Sequence, residues 1–359
     1  MKVGILGAGN GGVALYSDLY LKDKKPKIYA DLNHSSTLNS ILEKRQFKLY
    51  DKENDISNLI NLTSNDIAAN IQDLVGHADI IYNTTPIYAH DGIFREVWKA
   101  TEKIGKKIYF INLSGCFSSF SQMLIQRDNP LIKIGSTSTF PYACRIIDSD
   151  CILLGSKSEI PCAFVNSNTL EEDVAIVRNS FGRVKLVAHH NLLEMALGGV
   201  NFITHPLITL MNLNKIDEEE SFYFYKNGIT SSIAKLLDRA ELERKNLASI
   251  LKYRNFKDSL EQCRQFYNEK YQDWTAFSSE SKVHQIILGP NSIKNRYLEE
   301  DIPYGLVPVW SLGQLLKVEM PIIKSLIDMA SVIKNENYYL SPYNLINHAD
   351  LADFILMKR

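Results

Sequence analysis

Residues 1–12 read Met-Lys-Val-Gly-Ile-Leu-Gly-Ala-Gly-Asn-Gly-Gly, and no other stretch so narrows what the chain can fold into. Val3, Ile5 and Leu6 form a short apolar run suited to a buried strand of a parallel sheet. The glycines that follow, Gly7, Gly9 and Gly12, fit the pattern G-x-G-x-x-G. Gly7 permits a tight turn, Gly9 lets backbone approach a pyrophosphate, and Gly12 lets the next helix pack close to the strand. A helix from about Gly11 through Leu19 would aim its N–H groups and positive dipole end at phosphate. Glycine-rich turns are common, so the flanking residues carry the argument. Lys27-Ile28-Tyr29-Ala30-Asp31 reads as a second strand, with Asp31 where a carboxylate accepts from both ribose hydroxyls. Ala8, Asn10 and Gly11 complete the turn, and the whole predicts a dinucleotide site. Asp31 repels a ribose phosphate, so NAD is favoured over NADP. Lys44 and Arg45 leave NADP open, because they could fold toward the adenosine end.

The alternation of strands and helices then continues. Residues 35–42 read as a short helix and 48–50 as a small strand. Ser64-Asn65-Asp66 offers an N-cap for a helix to about Val75. The run 78–86 ends in Thr84-Thr85-Pro86, the strand ending that such a fold lays over the cofactor, and Thr85 joins the cofactor-binding set. A helix over 92–104 and strands over 107–113, 131–138 and 162–165 complete a βαβ rhythm lasting to about residue 188. Beyond it, 191–214, 230–251, 260–267 and 321–333 carry helical periodicity, and Pro321 suits a first helical turn. Gly228 and Gly289-Pro290 punctuate this region. The expected fold class is α/β, with an N-terminal Rossmann dinucleotide-binding domain over 1–188 and a C-terminal, mostly α-helical domain over 189–359. A cleft between them is where a substrate would meet the nicotinamide.

Composition narrows the partners. The 359 residues suffice for two domains with sizeable cores, and 45% hydrophobic with 23% charged residues is ordinary for a globular protein. A net charge of -1 gives no field to recruit nucleic acid or an anionic membrane. No apolar run reaches transmembrane length, and the N-terminus entering a strand directly leaves no room for a signal peptide. Cys116, Cys144, Cys151, Cys162 and Cys263 show no C-x-x-C spacing and are odd in number, which predicts reduced thiols in a cytoplasm.

Two stretches of the helical region hold candidate chemistry. Asn201 and His205 lie four apart and share a helix face, although Pro206 disturbs the local backbone. Residues 295–308 bring Arg296, Glu299, Glu300 and Asp301 together with Tyr297, Tyr304, Pro303 and Pro308 in a loop-like stretch. Taken alone, a histidine before proline is a packing or capping residue, and Arg296 with Asp301 is a surface ion-pair cluster. The neighbouring rings argue for a shaped, partly buried loop instead. His190 and Glu194, with His189, have a metal-like spacing but no third ligand, so a solvated helix start is expected and no metal. His90 either approaches the nicotinamide or caps the helix after it. Cys144 beside Arg145 is read as wall, and Phe222-Tyr223-Phe224-Tyr225 as helix packing or a cleft rim. Asp217 to Glu220 is read as solvated.

At these residues the chain resembles the opine dehydrogenases of the octopine and N-(1-carboxyethyl)norvaline type. The resemblance rests on the glycine motif, Thr-Pro-Ile-Tyr-Ala-His at 85–90, Asn-x-x-x-His-Pro at 201–206, and Arg-Tyr-x-x-Glu-Asp-x-Pro-Tyr-Gly at 296–305, the most specific of the four. Phe140-Pro141-Tyr142-Ala143-Cys144-Arg145 is similar to a further family segment, and the likeness runs from residue 1 to about 335. It implies reductive condensation of a 2-oxo acid, pyruvate by default, with the amino group of an amino acid, and the reverse reaction. It further implies His205 as acid/base, Asp301 as its carboxylate partner, Arg296 as the clamp on the oxo-acid carboxylate, and Asn201 as an orienting residue. Imidazole suits proton transfer near neutral pH, and a carboxylate on its far nitrogen fixes the tautomer. Gly135-Ser136 stands where relatives are expected to carry a glutamate, which argues mildly against an arginine-like amine. The implied partners are small molecules, with neither nucleic acid nor membrane, and oligomeric state stays open with a homodimer among the options.

Three rival readings remain at this point. A glycerol-3-phosphate or ketopantoate reductase relative shares the architecture but resembles its family in using an interdomain-helix lysine, and residues 186–214 hold none. A catalytically silent NAD-binding sensor and a flavoprotein are the others.

Overall fold

A computed structural model describes residues 1–126 and 131–357, without the side chain of Cys116. The chain divides into two compact units, Met1–Leu192 and Leu193–Arg359.

The first unit is built on strands β1 (Val3–Leu6), β2 (Lys27–Tyr29), β3 (Gln46–Asp51), β4 (Ile56–Asn61), β5 (Ile80–Asn83), β6 (Ile108–Leu113), β7 (Ile132–Thr137), β8 (Tyr142–Ile147), β9 (Asp150–Ser156), β10 (Glu159–Phe164) and β11 (Lys185–Ala188). Its helices are α1 (Asn10–Leu21), α2 (Ser36–Lys44), α3 (Ile71–His77), α4 (His90–Ile104), α5 (Cys116–Gln126) and α6 (Leu170–Ser180). Seven strands form one sheet in the order β11-β10-β7-β6-β5-β1-β2, parallel except between β10 and β7. Every residue of β1 and β5 is buried, as parallel strands covered on both faces require. Chain order reverses between β1 and β5, so their carboxyl ends flank the crevice where open α/β sheets bind ligands.

The alternating rhythm expected through residue 188 is interrupted by a second sheet, in the order β4-β3-β9-β8. The short strand expected at 48–50 lies within β3 of that sheet. Asp148 and Ser149, both with positive φ (50° and 75°), turn β8 into β9. A pair of left-handed residues matches the twist of a hairpin, usually with glycine or asparagine, and here without either. The helix expected from Ser64 begins later. Thr63 and Asp66 close a capping box around a single 3-10 turn at Ser64–Asp66, and Asn70 caps α3 by accepting the Asp73 N–H at 2.9 Å. Gly135 and Ser136 lie inside β7, where a Cβ on Gly135 would meet the Phe164 ring at 2.9 Å. A side chain at Gly135 would have to displace the Phe164 ring and the end of Ile111.

The second unit holds α7 (Leu192–Leu197), α8 (Asn201–Met211), α9 (Leu213–Asp217), α10 (Ser231–Ile250), α11 (Ser259–Tyr267), α12 (Trp274–Glu280), α13 (Arg296–Glu299), α14 (Val307–Leu315), α15 (Pro321–Lys334) and α16 (Ala349–Met357). The helical run expected over 191–214 breaks at Gly198-Gly199. The fully buried Arg244 satisfies the carbonyls exposed by that break, donating to Leu197 O at 2.9 Å and Gly199 O at 2.7 Å. Residues 222–225 are not helical. Their backbone bonds instead to an extended segment, Phe224 N–H to Ile287 O and Gly289 N–H to Phe222 O, each at 2.8 Å. The stretch 295–308 is likewise no loop. It runs from α13 through a π-helical turn at Ile302–Leu306 into α14, each short piece too weakly periodic to read as helix. Asp217 to Glu220 is exposed. Among the described residues no helix is long and apolar enough to cross a membrane.

Candidate functional site

The glycine turn behaves as three separate devices. Gly7 has φ +99°, and its N–H donates to Tyr29 O at 2.8 Å, tying the end of β1 to β2. A methyl on Gly12 would run into the Gly7 carbonyl oxygen, so only glycine lets α1 pack this close. A methyl on Gly9 would meet nothing within 4 Å, which leaves open space where a phosphate would approach the backbone. Gly11 serves packing, because its Cβ position is filled by the Phe140 ring. Ala8 is buried. The Asn10 side chain holds the second sheet, its Oδ1 accepting the Ile146 N–H at 2.8 Å, while its carbonyl accepts the Cys144 thiol at 3.4 Å. Cys144 is thereby a buried wall of the turn.

Asp31 lies just beyond β2, exposed, with Oδ1 accepting the Asn33 N–H at 3.0 Å. Lys44 donates to the Asp148 carbonyl at 2.7 Å, which engages it at the β8–β9 turn. After β5, the Thr84 hydroxyl donates to Leu6 O at 2.8 Å, joining the ends of β5 and β1, and the Thr85 hydroxyl donates to Asn83 Oδ1 at 2.7 Å within its own strand end. His90 fixes this corner. Its Nε2 lies 3.0 Å from the Thr85 carbonyl and its Nδ1 2.8 Å from Ser118 Oγ. Burial pushes its pKa down to about 4, against the opposing hydrogen bond to Thr85, so it is a neutral clamp at neutral pH. The space at Gly9, the start of α1 and the exposed Asp31 carboxylate fit the pyrophosphate and ribose of a dinucleotide.

In the second unit, the buried His205 sits one turn into α8. Its Nδ1 is 2.7 Å from Asp301 Oδ2 and its Nε2 is 3.1 Å from the Tyr225 hydroxyl. Asp301 belongs to the joint between α13 and the π-helical turn, and a methyl on Gly305 within that turn would collide with Phe202 of α8. That close approach brings the carboxylate to the imidazole. Pro206 is accommodated inside α8, which stays helical to Met211. The Tyr297 ring lies on His205, centroids 4.0 Å apart, and the Arg296 guanidinium carbon lies 5.8 Å from the centre of Tyr297. Arg296 is exposed and, among the described residues, within ion-pair distance of no carboxylate. Desolvation opposes its charge, but Tyr297, Glu300 and Asp301 outweigh it and hold its pKa above the ordinary value. Asn201 opens α8 on the His205 face, and among the described residues its side chain makes no hydrogen bond.

Sequence reasoning did not assign Tyr225 to this cluster. The aromatic run 222–225 was the available signal, but only the fold brings Phe224 and Tyr225 against His205, with Phe224 edge-on at 5.9 Å. The histidines considered for metal play other parts. His189 Nδ1 accepts the Asn191 N–H at 3.3 Å, and Glu194 accepts the Asn255 N–H at 3.1 Å. No cluster of three or more His, Cys, Asp or Glu that could hold a metal exists among the described residues.

A glycine-turned parallel sheet followed by a helical unit carrying a His–Asp pair is the architecture of a nicotinamide-dinucleotide-linked oxidoreductase. The family model described as NAD/NADP octopine/nopaline dehydrogenase, alpha-helical domain, matches residues 188–334. The chain is 25% identical over 286 residues to an opine dehydrogenase of Arthrobacter sp. (strain 1C), covering 77% of this chain and 76% of that protein. It is 24% identical over 348 residues to Protein ocs of Agrobacterium tumefaciens (strain Ach5), covering 94% and 92%. The fold is similar to an octopine dehydrogenase solved with NADH and L-arginine, with a TM-score of 0.75 and 19% identity over 96% of this chain and 97% of that one. The second unit thus matches the helical domain of the octopine/nopaline dehydrogenases, and most of the chain is similar to opine dehydrogenases.

Proposed function

We propose that the protein is an NAD(H)-dependent opine dehydrogenase, condensing a 2-oxo acid with the amino group of an amino acid and running the reverse. One observation carries this reading: the Asp301–His205 hydrogen bond of 2.7 Å beside a guanidinium that has no carboxylate partner among the described residues. Residues 1–188 act as the dinucleotide domain and 189–359 as the substrate domain. Bound at the glycine turn, a nicotinamide dinucleotide supplies hydride to the carbon of the condensed C=N group. The chain's own residues do the rest. Arg296 holds the oxo-acid carboxylate through two N–H donors, which turns the planar carbonyl to one face. Nε2 of His205 moves protons on and off the carbonyl oxygen and the amine nitrogen. Asp301 accepts from Nδ1–H, fixing the tautomer and stabilising the imidazolium when it forms. The Asn201 amide helps orient the reacting groups. Glycine backbone, the α1 N-terminus, Thr85 and the Asp31 carboxylate hold the dinucleotide, and the engagement of Lys44 elsewhere supports NAD over NADP. Cys144, Cys151, Cys162 and Cys263 are buried thiols, compatible with a cytoplasmic protein, and the thiol of Cys116 lies outside the described side chains. The reading needs no nucleic acid or membrane, and a homodimer is compatible with it.

The test is NADH oxidation with pyruvate and other 2-oxo acids, each with and without a panel of amino acids. Oxidation that requires both substrates is expected, and oxidation with the oxo acid alone would replace this reading with a plain ketoreductase. Two further results are expected. Arg296→Ala removes charge-assisted hydrogen bonds worth about 1.5–3 kcal/mol, so the oxo-acid KM rises by about 10- to 100-fold. A change confined to the amine KM would refute the clamp. Asp31→Ser loses the ribose acceptor, so the NADH KM rises by about tenfold or more while that for NADPH does not. An unchanged NADH KM would remove Asp31 from the site.

A further inference from the structure

The second nitrogen of His205 is also held, and by a residue that the family signature does not include. Tyr225 Oη lies 3.1 Å from Nε2, while Asp301 lies 2.7 Å from Nδ1 on the other side of the ring. A carboxylate can only accept, so Nδ1 carries a proton, and in the neutral imidazole Nε2 presents a lone pair. In that state the phenol is the donor in its bond to Nε2. Among the described residues His205 Nε2 is the hydrogen-bond partner of the buried Tyr225 hydroxyl, whose ring packs edge-on against Phe224, Phe277 and His284.

Building on the proposed function, we propose that Tyr225 is a positioning residue for His205. Its hydroxyl fixes the imidazole rotation from the side opposite Asp301 and keeps Nε2 unprotonated until a substrate hydroxyl or amine takes the phenol's place. Tyr297 and Phe224 confine the ring by packing, and the hydrogen bonds at its two nitrogens oppose its rotation. The phenol is suited to donate, because burial raises its pKa well above the ordinary value and it stays protonated across the working range. A substrate hydroxyl can replace it in kind, since it too both donates and accepts.

Several charged or titratable groups act on this pair. From α13 and the joint after it come Arg296, Tyr297, Glu300 and Asp301. Against Tyr225 lie His284 and, from α11, Cys263 and Tyr267. Tyr225→Phe changes none of them. A hydrogen bond given to the neutral imidazole disfavours the charged form, so its loss raises the pH at which His205 takes up a proton. One such bond, worth about 1 kcal/mol, corresponds to a shift of about half to one pH unit.

The experiment follows the His205 ring by NMR in the substrate-free full-length protein, with its resonance identified by its loss in His205→Gln. The expected result for Tyr225→Phe is an upward shift of about half to one unit in the His205 titration, with kcat lowered about three- to tenfold and no rise in oxo-acid KM. An unshifted titration would overturn the proposal. Should Tyr225→Phe fail to fold, ring 15N shifts of the parent protein decide the matter: Nδ1 protonated with Nε2 bare supports it, and the reverse tautomer refutes it. A shift in the titration of a protein that oxidises no NADH with any substrate pair would leave the Tyr225 assignment standing and remove the proposed reaction instead.

Discussion

His205→Ala is expected to lower kcat by about 1000-fold while the affinity for NADH stays within about twofold. The magnitude follows from what a positioned acid/base contributes, about 10²- to 10⁴-fold. The geometry puts His205 well inside that range. It sits between two hydrogen bonds and beneath the Tyr297 ring, so no rotation has to be frozen when the substrate arrives. Affinity for the dinucleotide should be preserved because the residues proposed to hold it, the glycine turn, Asp31 and Thr85, all belong to the first unit, which has its own sheet and core. Steady-state kinetics with NADH, paired with calorimetric titration of NADH into the variant, separates the two effects. Undiminished turnover would overturn the assignment of His205, and lost affinity would mean that the variant disturbs more than the acid/base.

Legibility in the sequence followed the range of the forces involved. The β1–α1 turn is encoded largely by adjacent residues, Gly7 by its positive φ and Gly12 by its approach to the Gly7 carbonyl, and so its geometry could be read from them. Gly11 and Asn10 show the limit of that reading: within the same motif, one makes room for Phe140 and the other holds the edge of β8, more than a hundred residues away. The second sheet was hidden for a related reason. β4 is largely exposed and the β8–β9 hairpin turns on Asp148 and Ser149, so neither apolar alternation nor a glycine marks them. In the helical unit Asn201 and His205 were paired by their four-residue spacing. The approach of Asp301 was implied only by family likeness, because it depends on Gly305 meeting Phe202, and no local pattern encodes that contact. Tyr225 was visible as one of four consecutive aromatic residues, yet its partner lies twenty positions earlier across a non-helical turn.

Replacing Asp301 by asparagine is the sharper test of how the pair works, because shape is retained and only charge and one acceptor change. Asparagine can offer Nδ1 either its oxygen or its NH₂ group. The second option places the imidazole proton on Nε2, where a lone pair is needed, and would set it against the Tyr225 hydroxyl proton. The carboxylate's support for the imidazolium is lost as well. In a hydrolytic His–Asp pair the same change lowers kcat about 10⁴-fold, and a fall of about 10²- to 10⁴-fold is expected here. The sign of the pH effect is fixed by the same reasoning. Without the carboxylate the imidazolium forms less readily, so the alkaline limit of the reductive reaction moves to lower pH, opposite to the shift expected for Tyr225→Phe. Profiles of kcat against pH for the two variants and the parent would reveal it. Shifts in opposite directions would establish that the two neighbours act on opposite protonation states of one ring. A parallel shift, or an Asp301→Asn enzyme as fast as the parent, would mean that His205 draws its reactivity from some group other than Asp301.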